Sequence, residues 1–303
     1  MKWRRGTKSR DVIDIRGAST GSGRGGGGLP IPGGIGKLGG GAGLIVLLVI
    51  IGISLLGGDG GAGLPGTGTF GGATAPGAAN PQPLPPGEDP QADLKDFSTY
   101  VFDDAQDVWA GTFSRGEQRY DNAQLVLYTG AVQTDGCGGA TSAVGPFYCP
   151  ADGRVYLDLS FYADMKRQLG APGDFAWAYV IAHEMGHHVQ RLTGTSDEVD
   201  RLSRDDPGAA NDLSVRQELQ ADCYAGVWAG TVFAAGDLEP GDLDEAFTAA
   251  EAVGDDRLQR QAGGQVDPDS FTHGTSEQRR RWFDHGFRSG NPADCNTFAA
   301  DEL

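Results

Sequence analysis

From residue 93 onward the apolar positions recur with two periods, one helical and one strand-like. Asp93 to Phe113 sets Leu94, Phe97, Val101, Phe102, Val108 and Trp109 at intervals that place them on one face of a helix. "AQLVLYTG" and "RVYLDL" are short strand-like runs, and Asp152-Gly153 just before the second predicts a hairpin, so a small antiparallel sheet is expected after the first helix. "SFYADMKRQLG" predicts a short helix closed by Gly170 and Pro172. "FAWAYVIAHEMGHHVQRLT" is apolar on nearly all sides and predicts a central buried helix, with Asp174 as its N-cap and Gly194 at the left-handed position past its end. A further helix is expected from a capping-box pattern at Ser214 and Gln217 through to Gly236, then one over "DLDEAFTAAEAVG" and one over "TSEQRRRWFDHGF", the last with Thr275 and Gln278 as a capping box. The pattern is that of a mainly helical α+β domain over residues 93–303.

Upstream the pattern changes. Residues 18–43 and 57–90 are rich in glycine and then proline, with too few apolar side chains to offset the entropy of folding. Between them Leu44 to Leu56 carries no charge, and uncharged glycines extend the stretch over 39–58, the length of a membrane span. Eight basic residues precede it against Asp11 and Asp14. The predicted organisation is a cytoplasmic basic, Gly-rich tail over 1–38, a transmembrane anchor over 39–58, a linker over 59–92 and an exported domain over 93–303, single-pass in a bacterial cell membrane. A cleaved signal peptide is the alternative, disfavoured by the long basic stretch and the lack of a clear cleavage site. The rest of the chain holds 16 basic and 39 acidic residues, which excludes nucleic acid as a partner.

Four cysteines follow the apolar run, as expected in an oxidising compartment, and their spacing fits no zinc knuckle. Three pairings are possible; Cys137 with Cys149 is the local loop closure, which leaves Cys223 to reach Cys295.

The buried-looking helix contains His183-Glu184-x-x-His187. Histidines four apart share a helix face and can reach one cation, and in H-E-x-x-H the intervening glutamate handles the proton of a water that zinc activates. His188 is rotated about 100° from that face and is expected to pack, not to ligate. A catalytic zinc site needs a third protein ligand, and His188, Glu198, Asp200, Glu218, Asp222, His273 and His285 are the downstream candidates. Glu218 and Asp222 lie four apart among apolar neighbours, where unpaired carboxylates are costly. This favours Glu218 as ligand and Asp222 as the acceptor that orients a ligand imidazole.

"AHEMGHHVQ", then "RQELQADCYAGVWA", "SFTHGTSEQRRRWF" and the strand region "GPFYCPADGRVYLDLSF" resemble the bacterial membrane-anchored neutral zinc metallopeptidase family, over nearly all of Phe97 to Cys295. The resemblance implies a gluzincin-like fold, one Zn2+ per chain bound by His183, His187 and Glu218, and Glu184 as catalytic base. E-x-x-x-D after H-E-x-x-H also resembles the CAAX prenyl protease group, in which a T-H followed by an arginine at this spacing is linked to stabilising the oxyanion. That implies the same role for His273, which lies in a Gly-containing turn, and for Arg279. The expected function is therefore an anchored, extracytoplasmic zinc metallopeptidase acting on a protein or peptide. A non-catalytic zinc-stabilised surface module, or a protease-like scaffold, is the rival reading; retention of Glu184 weighs against it, since a structural site needs ligands but no base.

Overall fold

The computed structural model describes residues 1–6, 8–17, 82–85 and 87–303. The expected span over 39–58 and most of the two linkers lie outside these residues. Among the described residues no helix is long and apolar enough to cross a membrane.

Among the described residues, six strands and eight α-helices build the domain. The strands are β1 (Val12–Asp14), β2 (Gln124–Tyr128), β3 (Ala131–Gln133), β4 (Gly139–Thr141), β5 (Phe147–Cys149) and β6 (Arg154–Asp158). The helices are α1 (Ala92–Arg115), α2 (Phe161–Asp164), α3 (Asp174–Thr193), α4 (Thr195–Asp205), α5 (Ala210–Ala234), α6 (Asp242–Ala252), α7 (Asp255–Gln261) and α8 (Ser276–Ser289). Mixed α+β architecture is as expected, but the antiparallel sheet is corrected. The main sheet runs β1-β2-β6-β5, with β1, β2 and β6 parallel and only β5 antiparallel to β6, while β3 and β4 pair separately. Leu125, Val126, Leu127 and Tyr128 are all buried. Such an unbroken apolar run marks a strand covered on both faces, the habit of parallel sheets.

Residues 1–6 and 8–17 correct the expectation of a tail separate from the domain. Val12, Ile13 and Asp14 pair with Leu125, Val126 and Leu127. Asp11 accepts from Gln106 and Asn122, and Ser9 donates to Asp103. The Met1 ammonium lies between Asp174, Glu239 and Asp242.

α3 is the buried hub. Phe175, Trp177, Ile181 and Met185 are wholly enclosed, and α1, α5 and α6 pack around them. Glycines set how closely α5 approaches. A Cβ on Gly186 would lie 2.9 Å from the Ala221 carbonyl oxygen, so glycine inside H-E-x-x-H is what lets the two helices touch backbone to backbone. Gly226 and Gly286 do the same where α5 crosses α8.

Several helix ends differ from expectation. Asp174 is the first residue of α3, with Gly173 before it, and its carboxylate is engaged by Met1. α5 starts at Ala210, continuing the turn that Asp206 caps, so Ser214 lies within the helix and donates to the Thr272 carbonyl. The Thr275–Gln278 capping box and the left-handed Gly194 are found as expected. Cys137–Cys149 and Cys223–Cys295 are the two disulfides.

Candidate metal centre

The site forms where α3 faces α5. Helical spacing brings His183 and His187 to one side of α3, with ring centroids 4.8 Å apart, and the Gly186 contact brings Glu218 within reach of both. His183 Nε2 lies 3.2 Å from Glu218 Oε2, and His187 Nε2 lies 3.5 Å from Glu218 Oε1. One ligand atom from each residue falls within 4.8 Å of the others.

Each imidazole is held from behind. His183 Nδ1 faces Asp222 Oδ1 at 2.8 Å, and His187 Nδ1 faces Gln190 Oε1 at 2.9 Å. With Nδ1–H donated to these acceptors, both Nε2 atoms are left as lone-pair donors turned toward Glu218. Gln190 is itself fixed, because its amide donates to the Gln217 carbonyl and to Gln220. Asp222 is fully enclosed; it accepts from the Tyr179 hydroxyl and takes two N–H bonds from Arg279, at 2.8 and 2.9 Å. Arg279, expected to aim its charge at the reacting centre, lines the same cavity as the ligands but is 3% exposed and pairs with Asp222. Its place is the support of a ligand, 4.0 Å from Glu218.

The electrostatics call for a positive charge between the three groups. Burial opposes a charged His183, but Asp222 and Glu218 outweigh it and push the ring up to about 10. Burial would raise Glu218, yet His187, His183 and His273 hold it well below the usual carboxylate range. Two oriented imidazole nitrogens and one ionised carboxylate are the donor set of a catalytic zinc site with an open fourth position, so these residues fit the metal.

Glu184 lines the same cavity and is 8% exposed. Burial pushes its carboxyl up, against the opposing pull of His187 and His183. No hydrogen bond engages it among the described residues. The cavity, of about 210 Å³, is also lined by Phe147 and Tyr148 of β5 and by Ser196, Val199 and Asp200 of α4. β5 ends the sheet, so one edge of its backbone is unpaired within it.

His273 also lines the cavity. Its Nδ1 meets Asp255 Oδ1 at 3.3 Å and Thr272 Oγ1 at 2.9 Å, while Asp255 Oδ2 accepts the backbone N–H groups of Thr272, His273 and Gly274. Nε2 is the ring nitrogen left for a bound molecule. Burial disfavours the imidazolium, but the bond to Asp255 and the charge of Glu218 raise it.

Of the remaining candidates, His188 packs as expected, with Nε2 at 2.7 Å from the Asp121 carbonyl and Nδ1 at 3.0 Å from the Tyr148 hydroxyl. Glu198 pairs with Arg201 on the surface, and His285 bonds the Asp294 carbonyl. Tyr179, Gln190 and Asp255 were not singled out from sequence. The first two had a signal, since 179 to 183 and 187 to 190 are helical neighbour spacings; Asp255 had none.

A family profile described as "Putative neutral zinc metallopeptidase" matches residues 1–298. The chain is 48% identical over 299 residues to the uncharacterized protein YpfJ of Escherichia coli (strain K12), covering 98% of this chain and 99% of the relative. It is 45% identical over 199 residues to the uncharacterized protein Rv2575 of Mycobacterium tuberculosis (strain ATCC 25618 / H37Rv), covering 61% of this chain and 65% of the relative. No solved structure matches the chain.

Proposed function

Because the chain belongs to the family of putative neutral zinc metallopeptidases, we propose that it hydrolyses peptide bonds at a single zinc held by His183, His187 and Glu218, and that it does so attached to a membrane through the apolar run Leu44 to Leu56. The observation that carries this reading is the convergence of those three side chains at the wall of a cavity that also exposes an unengaged, buried Glu184. A zinc that only joined two helices would need neither the cavity nor the base.

Bound zinc would polarise the scissile carbonyl and acidify a water molecule. Glu184 takes the proton of the attacking water and returns it to the leaving amine, the task of a carboxyl whose burial brings its affinity for a proton nearer to neutral pH. Asp222 and Gln190 keep the two imidazoles in the tautomer that leaves Nε2 free. His273 donates through Nε2 to the carbonyl oxygen as negative charge builds on it, and Asp255 holds the ring in place. The open edge of β5 can pair with an extended peptide backbone, and Phe147, Phe161, Leu169 and Val180 give the cavity an apolar wall for a bulky side chain next to the cleaved bond.

The test is digestion of a peptide library by the full-length protein, with cleavage expected to stop on chelation and to return with zinc. Cleavage insensitive to chelator would sink the reading. His183→Ala, His187→Ala and Glu218→Ala should each purify with less than stoichiometric zinc, whereas a Glu218→Ala protein with full occupancy would move the third ligand elsewhere. His273→Ala should keep its zinc and lower kcat about a hundredfold, roughly 3 kcal/mol of transition-state stabilisation, with KM little changed. Steady-state kinetics beside metal analysis decides it: lost zinc would make His273 a ligand, and unchanged kcat would remove it from the reaction.

A further inference from the structure

We propose that residues 8–17, which carry β1, are part of the catalytic domain in the membrane-attached protein, so that this N-terminal segment and the metal centre lie on the same side of the bilayer. Such an arrangement replaces the single crossing expected from the sequence.

The argument rests on where the chain leaves and rejoins the described fold. Leu125 N–H donates to the Asp11 carbonyl at 2.8 Å and Ile15 N–H to the Leu127 carbonyl at 2.9 Å, so β1 extends the sheet on both sides of its three paired residues. Directly after it, Gly17 N–H donates to Gln82 O at 2.7 Å and Gln82 N–H to Asp14 O at 2.8 Å. A Cβ on Gly17 would sit 2.6 Å from that Gln82 oxygen. Residues 17 and 82 are thus adjacent, although everything from 18 to 81, the apolar run included, separates them in sequence.

Arg16 locks the junction. Its side chain has no exposure and reaches Asp14 and Asp89, at 2.7 and 2.6 Å through one nitrogen, so one buried guanidinium joins the outgoing and the returning chain. Drawing residues 8–17 across a bilayer would strip Asp89 of that partner and Asp11 of Gln106 and Asn122, and would uncover the flank of β2. A hydrocarbon core is about 30 Å thick, and two hydrogen-bonded residues cannot sit on opposite faces of it. The run from Leu44 to Leu56 is thirteen residues, a length that suits entry and return from one side as well as it suits a short crossing.

Lysine accessibility in the full-length chain tests this. Lys8 and Lys166 are both exposed, on segments that a single crossing would separate. Sealed membrane vesicles carrying the protein are treated with a membrane-impermeant amine reagent, then mapped by mass spectrometry, and detergent-opened vesicles show that both lysines react in the folded protein. The expected result is matched modification of Lys8 and Lys166 in sealed vesicles, both modified or both protected according to vesicle orientation. One lysine modified while the other becomes reactive only after detergent would overturn the proposal.

Discussion

Glu184→Gln should lower peptide hydrolysis about a thousandfold, roughly 4 kcal/mol, while zinc content and fold stay as in the parent protein. The substitution keeps the side chain's size and removes only its capacity to accept a proton. Glu184 is buried at the cavity wall and contributes no ligand atom to the three that converge. Its loss therefore leaves the metal-binding geometry intact. Because the base must be ionised to act, the parent's kcat/KM should fall on the acid side of the profile as this carboxyl gains its proton. Burial moves that limb upward from the ordinary glutamate range, and positive charge on the two imidazoles opposes that rise without cancelling it. The residual activity of the glutamine variant should lack this limb. Kinetics against pH, beside metal analysis, checks both parts. Undiminished hydrolysis by a zinc-loaded Glu184→Gln protein would end the catalytic assignment.

The parts of the site legible in sequence were those governed by helical period. His183, Glu184 and His187 lie on one continuous helix, and Glu218 and Asp222 on another, so spacing alone placed each set on a common face. What spacing cannot give is the contact between helices, on which the place of Arg279 and the support of His273 depend. Arg279 is expected beside the reacting centre, yet where α5 crosses α8 at Gly226 and Gly286 its guanidinium pairs with the buried Asp222. Asp255 supports His273 only because α7 packs beside the Thr272–Gly274 turn.

The same division holds for the fold. α1, α3 and α8 carry amphipathic or buried patterns, with a capping box at the start of α8, and they lie close to where the pattern puts them. α4 was missed because Val199 and Leu202 are its apolar side chains; its exposed face is held by Arg201 paired with Glu198 and Asp205. β1 was missed for a different reason. Three residues in a basic, Gly-flanked stretch carry almost no strand signal, and their pairing depends on β2, more than a hundred positions later.

Asp222→Ala should destabilise the metal-free protein by about 3 to 5 kcal/mol, a large share of the stability of a domain this size. Asp222 has no exposure and satisfies three other buried groups at once: His183 Nδ1, the Tyr179 hydroxyl and the Arg279 guanidinium. Removing it leaves Arg279 with the Tyr179 hydroxyl at 3.3 Å, the Val253 carbonyl at 3.4 Å and Glu218 at 4.0 Å, contacts too long to replace a two-pronged ion pair. Glu218 would then be drawn toward Arg279 and away from the two imidazoles, so zinc affinity should fall about 10- to 100-fold as well. Urea unfolding after chelation separates the two effects, since metal-binding energy is then absent from the comparison. An Asp222→Asn/Arg279→Met protein, which removes both buried charges, should be more stable than the two single losses added together predict. Arg279→Lys is the sharper control: an ammonium keeps the charge but cannot make the paired N–H bonds, so it should cost stability while Asp222 still orients His183. If Asp222→Ala costs under about 1 kcal/mol, or the double variant shows simple additivity, the three buried groups do not depend on Asp222 as their contacts imply.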